Sequence, residues 1–193
     1  MKKDIILAGV GGQGILSIAA CIGMAALEEN LFLKQAEVHG MSQRGGAVQS
    51  HLRISSEEIA SDLIPVGKAD IIIAVEPMES LRYLSMLHPS GWIITSINPF
   101  NNIRDYPEIE QVLKEIWKQP HYITLDADGI AKDKGSIKAA NMVVLGAAVP
   151  FLELKPESIE TAIRKIFGNK GDDIVKLNLL ALKTGREYAI KNM

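Results

Sequence analysis

The hydrophobic and polar positions divide the chain into short apolar runs and longer segments with helical periodicity. Short runs of branched aliphatic residues that end at glycine or polar residues are typical of buried strands. They predict strands over residues 4–9, 31–38, 47–54, 59–64, 70–75, 92–96 and 121–125. Longer apolar or amphipathic segments predict helices over residues 15–29, 77–87, 139–152, 156–167 and 172–191. This strand–helix order is typical of an α/β fold built on a mostly parallel sheet.

One part of the chain departs from the parallel pattern. Residues 47–54 alternate between apolar and polar positions, and residues 55–58 read as a turn, so residues 59–64 are expected to pair back as an antiparallel hairpin. The Pro- and Asn-rich residues 98–107 are predicted to form a surface loop. We therefore expect a Rossmann-like three-layer fold, a mostly parallel sheet with an inserted antiparallel hairpin, in a single domain over residues 1–193.

The composition of the chain excludes several classes of function. The 193 residues are 47% hydrophobic and carry a net charge of −2, which gives no general attraction to nucleic acid or to an anionic membrane. The apolar residues that follow the N-terminus are interrupted by glycines, unlike a signal peptide, and a cytoplasmic location is expected. Cys21 is the one cysteine, so the chain has no internal disulfide and cannot supply the four thiolates of a usual iron–sulfur cluster. Its place in an apolar helix predicts a buried, inert thiol.

A glycine-rich turn is predicted between the first strand and the first helix. Residues 9–14 read Gly9-Val10-Gly11-Gly12-Gln13-Gly14, a G-x-G-x-x-G pattern whose backbone amides can cradle an anion. Glu37, at the end of the second strand, suits the acid that holds a dinucleotide ribose. Alternatively, the glycines only let the strand and the helix pack closely. The turn alone leaves both interpretations open.

A second polar segment follows the second strand. Residues 37–46 place Glu37, His39, Ser42, Gln43 and Arg44 around three glycines. The guanidinium of Arg44 offers a planar fork for phosphate or carboxylate, and the neutral side chains can add hydrogen bonds. The alternative is that Arg44 pairs with a glutamate of this chain and that the segment contacts no partner.

Other chemistry finds less support. No metal-ligand cluster surrounds His39 or His51, and no nucleophile elbow, Walker lysine or H-E-x-x-H helix is present. His51 is predicted to be an ordinary strand residue. Glu76, at the carboxyl edge of the sheet, is interpreted either as a ligand contact or as a helix-start charge. Asn98, Asp126 and Asp128 end later strands at the same edge, and Asn141, before a later helix, is interpreted as a cap or a contact.

The two glycine-rich segments together resemble a known family. Residues 8–15 and 36–46 closely resemble the gamma-type subunit of 2-oxoacid:ferredoxin oxidoreductases, and the wording Glu-Val-His-Gly-Met-Ser-Gln-Arg-Gly-Gly is most similar to the indolepyruvate type. The resemblance extends through residues 48–53, 59–62, 69–70, 76–77 and 141–147, which spans most of the chain.

The resemblance implies one subunit of an assembly that oxidises an aryl pyruvate with coenzyme A to an aryl acetyl-CoA, carbon dioxide and reduced ferredoxin. Thiamine diphosphate and the iron–sulfur clusters belong to a large partner subunit, and this chain alone holds no cofactor or metal and no assigned catalytic residue. It completes the active-site cleft, with coenzyme A as co-substrate near Gly9, Gly11, Gly12, Gln13, Gly14, His39, Ser42, Gln43 and Arg44.

Two other hypotheses remain open. One is a free-standing dinucleotide-binding dehydrogenase or sensor that uses Gly9, Gly11, Gly14 and Glu37. The other is a homodimeric scaffold without a ligand.

Overall fold

The computed structural model describes residues 1–39, 45–101 and 103–193, with the backbone alone at His39. Its described strands form one six-stranded sheet in the order β2-β3-β1-β4-β5-β6. Their bounds are β1 Lys2–Val10, β2 Phe32–His39, β3 Ala47–Ser55, β4 Ala69–Ala74, β5 Leu87–Ser96 and β6 Tyr122–Leu125. Strands β1, β4, β5 and β6 pair in parallel, whereas β3 is antiparallel to both β1 and β2. The predicted fold class is confirmed.

Helices cover both faces of the sheet. They are α1 Ile15–Glu28, α2 Pro77–Arg82, α3 Ile109–Trp117, α4 Ala127–Asp133, α5 Ala140–Ala148, α6 Pro156–Phe167 and α7 Asp172–Asn192. The main core packs α1, α4, α5, α6 and α7 on one face, and Val112 and Ile116 of α3 pack on Ile93 on the other. Cys21 lies fully buried in the main core, and burial raises the pKa of its thiol to about 12, as expected for an inert thiol.

The sheet contains an inserted antiparallel hairpin as predicted, but the pairing of residues 47–54 with residues 59–64 is wrong. The hairpin joins β2 to β3, with Phe32 opposite Ser55 and His39 opposite Val48. Residues 59–64 form no strand. Ile59 and Ile64, the apolar residues at the two ends of this segment, are buried. The apolar pattern in the sequence therefore reflects side chains that are buried within a loop, and not the pairing of a strand.

Side chains of β3 hold this loop in place. The Arg53 guanidinium donates to the Ser61 and Leu63 carbonyls, each at 3.0 Å, and to both carboxylate oxygens of buried Asp4 at 2.7 and 3.0 Å. The Ile64 backbone N–H donates to His51 Nδ1 at 3.0 Å. His51 is indeed a strand residue, but its side chain also anchors the loop.

The His51 contact predicts a pH-dependent stability. Burial, followed by the Arg53 charge, lowers the pKa of His51 from 6.5 although Asp62 opposes the shift. Unfolded chains therefore take up this proton before folded ones, and stability is expected to fall as the pH drops below about 6.5. Urea midpoints at pH 8 to 5 should show wild type losing its advantage over His51→Gln, which cannot titrate. A constant difference between the two proteins would contradict this assignment.

Candidate functional site

The glycine turn closes on itself between β1 and α1. The Gln13 backbone N–H donates to the Val10 carbonyl at 3.1 Å, and the Val10 N–H donates to Gln13 Oε1 at 2.8 Å. The side-chain amide oxygen of Gln13 therefore holds the turn closed. Gln13 also lines two of the cavities around the turn, and its role as a ligand contact stays a prediction.

Two of the glycines are required by packing. A Cβ on Gly9 would lie 2.7 Å from Val75 Cγ2, and a Cβ on Gly14 would lie 2.4 Å from Asn141 Nδ2. Asn141 Nδ2 also donates to the Gly14 carbonyl at 3.2 Å, which ties the start of α1 to α5. The close-packing interpretation therefore explains Gly9 and Gly14.

Gly12 differs from Gly9 and Gly14 in the space beside it. Gly12 and Gly14 both have a positive φ, +102° and +82°, which favours glycine at each. Among the described residues, no atom lies within 4 Å of the position that a Cβ on Gly12 would occupy, and three cavities meet there. The turn conformation accounts for a glycine at this position, and the open space leaves room for a ligand against its backbone.

The turn contacts the end of the β2–β3 hairpin. The Gly11 N–H donates to the Gly46 carbonyl at 2.8 Å, and the Gly45 N–H donates to the Gly11 carbonyl at 3.3 Å. The two glycine-rich segments of the sequence are therefore neighbours. Residues 40–44, with Ser42, Gln43 and Arg44, lie outside the described residues, as does the side chain of His39.

The three cavities differ in their walls. The first, which we call the α7-side cavity, is about 380 Å³ and lies between the turn and α7. The second, the sheet-edge cavity, is about 350 Å³ and lies over the carboxyl ends of β4 and β5. The third, the hairpin-side cavity, is about 240 Å³ and lies beside Glu37, Val48 and Leu16.

The sheet-edge cavity occupies the place where open α/β sheets bind ligands. Helix α1 follows β1 on one face of the sheet and α2 follows β4 on the other, so a crevice opens between these adjacent parallel strands. Val75, Phe100 and Val144 supply apolar walls, and Ser96 and Asp128 supply polar groups. Burial, followed by the charge of Asp126, raises the pKa of Asp128.

The predicted polar residues around this edge are brought together mainly by internal bonds. Asn98 accepts from the Ser96 hydroxyl at 2.7 Å and donates to Asp126 Oδ1 at 2.8 Å. Asp126 also caps α4 by accepting the Gly129 N–H at 2.8 Å. Asn98 and Asp126 therefore shape the rim, and Asp128 is the acid that lines the cavity.

Glu76 acts as an internal anchor. Its carboxylate caps α2 by accepting the Glu79 N–H at 2.8 Å, and it also accepts from the Phe100 N–H at 3.4 Å and from the Tyr106 hydroxyl. Burial is the main cause that raises the pKa of Glu76. The loop predicted over residues 98–107 is thus fastened to the sheet at both Phe100 and Tyr106.

Two lysines at the cleft carried no sequence signal. Lys138 lines both the α7-side and the sheet-edge cavity, and Lys170 lines the α7-side cavity. Neither belongs to a recognisable motif. Lys138 lies in the connection between α4 and α5, and Lys170 lies in the connection between α6 and α7, so their proximity to the glycine turn depends on how these helices pack. Among the described residues, neither ammonium forms an ion pair.

The sheet order bears on the dinucleotide hypothesis. In the dinucleotide fold the second strand lies beside the first. Here β3 lies between β1 and β2, which puts Glu37 two strands away from β1, roughly 10 Å across the sheet. Glu37 still lines the hairpin-side cavity, but the strand order departs from the dinucleotide-binding arrangement.

The described residues offer no alternative chemical centre. They contain no group of three His, Cys, Asp or Glu side chains that could hold a metal ion. Nor does any helix in the described ranges reach the length and apolarity needed to cross a membrane.

Fold and cavities together define an α/β protein whose glycine turn and sheet edge line adjoining cavities. The sequence matches the family described as pyruvate ferredoxin/flavodoxin oxidoreductase over residues 4–188, and the chain belongs to that family. It is 38% identical to the indolepyruvate oxidoreductase subunit IorB of Archaeoglobus fulgidus, over 98% of this chain and 96% of that protein.

Solved structures share the fold. A keto/oxoacid ferredoxin oxidoreductase gamma subunit from Geobacter sulfurreducens matches with a TM-score of 0.71 at 23% identity, over 98% of this chain and 99% of that one. A 2-oxoglutarate:ferredoxin oxidoreductase from Magnetococcus marinus, with 2-oxoglutarate, coenzyme A and succinyl-CoA bound, matches with a TM-score of 0.80 at 21% identity. This chain corresponds to 31% of that longer chain and is covered over 98% of its own length. The predicted family membership is confirmed by the family match and by the IorB relative, and the solved structures confirm the fold.

Proposed function

We propose that this chain is the small subunit of a 2-oxoacid:ferredoxin oxidoreductase acting on an aryl pyruvate such as indolepyruvate, and that it receives coenzyme A at the glycine turn. In the reaction the bond between the carboxylate and the oxo carbon breaks and carbon dioxide leaves. The acyl group passes to the coenzyme A sulfur, and the electron pair passes to ferredoxin. The subunit names of the relatives support this proposal, and the indolepyruvate relative supports the substrate class.

The observation that carries the role of this chain is Gly12. Its positive φ and the open space at its missing Cβ leave room for a ligand against the backbone, where the cavities meet. The first turn of α1 contains no acidic residue, so no carboxylate of the helix itself offsets the positive end of its dipole. Phosphates of coenzyme A suit such a position.

The redox cofactors do not fit this chain. Its one cysteine is fully buried, whereas an iron–sulfur cluster needs several thiolates. We therefore assign thiamine diphosphate and the clusters to a large partner subunit, and we assign no bond-breaking step to the residues of this chain. Its role is to bind and orient the co-substrate at a shared cleft, as one domain over residues 1–193 that acts in the cytoplasm.

The hairpin residues complete the proposed site. Arg44, Ser42, Gln43 and His39 belong to the segment that adjoins the turn through the Gly11 and Gly45 contacts. A guanidinium there would pair with a phosphate or with a carboxylate of the partner subunit. Their placement as ligand or partner contacts stays a prediction.

The partner is tested by anaerobic affinity purification of the tagged chain from its native host. Recovery of a large, cysteine-rich, thiamine-diphosphate-binding protein, and coenzyme A-dependent reduction of ferredoxin by the pair, are expected. A chain recovered alone, or with bound nicotinamide nucleotide, would overturn the proposal in favour of the dinucleotide hypothesis.

The substitution Gly12→Ala tests the turn in that complex. The new methyl group would project into the cleft and disfavour the positive φ, and the KM for coenzyme A should rise about tenfold, the equivalent of about 1.4 kcal/mol. Steady-state kinetics with coenzyme A varied at saturating 2-oxo acid give this value.

Gly67→Ala is the matched control. Gly67 has a φ of +70° with nothing within 4 Å of its missing Cβ, but it lies outside the cleft. Gly67→Ala should lower the free energy of unfolding about as much as Gly12→Ala does, by about 1–2 kcal/mol, and leave the KM for coenzyme A unchanged. Equal KM values for the two variants would remove Gly12 from the site.

A further inference from the structure

The α7-side and sheet-edge cavities adjoin each other at the glycine turn, and we treat them as the two halves of one cleft. Both are lined by Gly12, Gln13, Lys138 and Asn141, so each opens onto the same stretch of the glycine turn. Asn141 is fixed in this position by its bond to the Gly14 carbonyl. A ligand longer than either cavity can therefore lie across the turn and occupy both.

The charges in the two halves differ. The α7-side cavity is lined by Lys138 and Lys170 and by no acidic residue, with the Ser17 and Ser136 hydroxyls as further hydrogen-bond donors. Lys170 is already held near the cavity, because its ammonium lies 5.1 Å from the centre of the Phe167 ring. This half suits a group that carries more than one negative charge.

The sheet-edge half suits an uncharged group. Its walls include Val75, Val144, Phe100 and Ile137, and Asp128 would repel a phosphate placed there. The Phe100 ring is half-exposed, and its backbone is fastened to Glu76, so it offers a positioned aromatic surface. The Asp128 carboxyl and the Ser96 hydroxyl can accept a hydrogen bond from an amino group.

We propose that this cleft binds the nucleotide half of coenzyme A, with its phosphates between Lys138 and Lys170 and its adenine base in the sheet-edge cavity beside Phe100. This inference rests on the proposed function and adds the residues that select the ligand. The pantetheine arm and its thiol then extend away from the lysines toward the partner subunit. Lys138, which lines both halves, contacts the phosphates nearest the adenosine.

The test uses the assembled complex and three probes: coenzyme A, pantetheine, which lacks the nucleotide, and ADP as a competitor. Lys138→Gln and Lys170→Gln should each raise the KM for coenzyme A and the inhibition constant of ADP by about tenfold, since each removes a charge-assisted hydrogen bond. The KM for pantetheine should stay unchanged in both variants. Phe100→Ala should also raise the inhibition constant of ADP but leave the KM for pantetheine unchanged.

Lys132→Gln is the control. Lys132 is an exposed lysine on the neighbouring α4 and lines neither half of the cleft, so its kinetics should equal those of wild type. Lysine variants that raise the KM for pantetheine as much as that for coenzyme A would overturn the proposed nucleotide site, because a general loss of assembly or folding would act on both substrates.

The outcomes separate the two proposals. If Gly12→Ala weakens coenzyme A but the lysine variants bind ADP as wild type does, the ligand contacts the turn and the nucleotide lies elsewhere. If ADP does not compete and no variant, Gly12→Ala included, changes the KM for coenzyme A, the co-substrate is held by the partner subunit alone and the proposed function of the turn fails as well.

Discussion

Replacing Gly185 by alanine is expected to lower the free energy of unfolding by about 3 kcal/mol or more, because it overpacks a helix contact that cannot relax. A Cβ on Gly185 in α7 would lie 2.0 Å from the Val143 carbonyl oxygen of α5, and one on Gly146 would lie 2.0 Å from the Leu182 carbonyl oxygen. Both neighbours are helix backbone, so no side-chain rotation relieves the clash. Urea unfolding followed by far-UV circular dichroism measures the loss.

Gly168→Ala is the control for this prediction. Gly168 has φ −53° and ψ −40°, and nothing lies within 4 Å of its missing Cβ. Alanine is therefore compatible with the native backbone and should leave stability unchanged or raise it by about 0.5–1 kcal/mol. A Gly185→Ala curve that overlays that of wild type would show that α5 and α7 can move apart without cost, and that their close approach is not required.

The sequence predicted the fold well where the local signals agree. Helix α6 matches the predicted residues 156–167 because a proline and an acid start it, and apolar positions repeat at helical spacing along it. Residues 109–117 and 127–133 also form helices, and neither was predicted. The second begins directly at the Asp126 cap, so its first residues were interpreted as the loop that ends β6.

Strand pairing was harder to predict than strand position. Residues 47–54 were correctly identified as a strand, but an alternating pattern does not specify which neighbour pairs with it. Residues 59–64 carried the same apolar signal, although Ile64 is buried through its bond to His51 and not through a ladder. Arg53 and His51 of β3 hold residues 61–64 as a loop, and no local pattern in the sequence reveals these contacts.

The site was predicted only in part. The motif identified the glycine turn, and the family resemblance linked it to residues 37–46, of which Gly45 and Gly46 contact Gly11 in the structure. Lys138, Lys170 and Phe100 could not be found from the sequence, because their positions at the cleft result from packing between segments far apart along the chain. Single lysines and phenylalanines have no spacing that distinguishes a cleft residue from a surface residue.

Replacing Glu76 by alanine is the second substitution with a large expected effect. Glu76 is 1% exposed, and its loss would leave the Tyr106 hydroxyl and the Glu79 and Phe100 backbone N–H groups without their acceptor. The buried Glu79 N–H and two partly buried donors would lose their acceptor, so a loss of about 3 kcal/mol in the free energy of unfolding is expected. Release of Phe100 should also weaken the binding of ADP to the assembled complex. This effect distinguishes a residue that anchors the cleft wall from one that only caps a helix.

Glu76→Gln separates the shape of this side chain from its charge. The amide retains an acceptor oxygen, so a smaller loss, about 1 kcal/mol, is expected at pH 7. Burial raises the pKa of Glu76 above 4.5, so the folded chain takes up this proton before the unfolded chain does. The contribution of Glu76 to the free energy of unfolding therefore rises as the pH falls through the folded pKa toward about 4.5. The folded protein is less stable when Glu76 is ionised than when it is protonated.

The difference between wild type and Glu76→Gln should accordingly change with pH. Urea midpoints of both proteins at pH 7 and pH 5 are expected to show wild type gaining relative to the glutamine variant at the lower pH. If wild type loses relative to Glu76→Gln instead, the hydrogen bonds from Tyr106, Glu79 and Phe100 outweigh burial. In that case the anchor is held by an ionised carboxylate, and acid would loosen the Phe100 wall of the cleft.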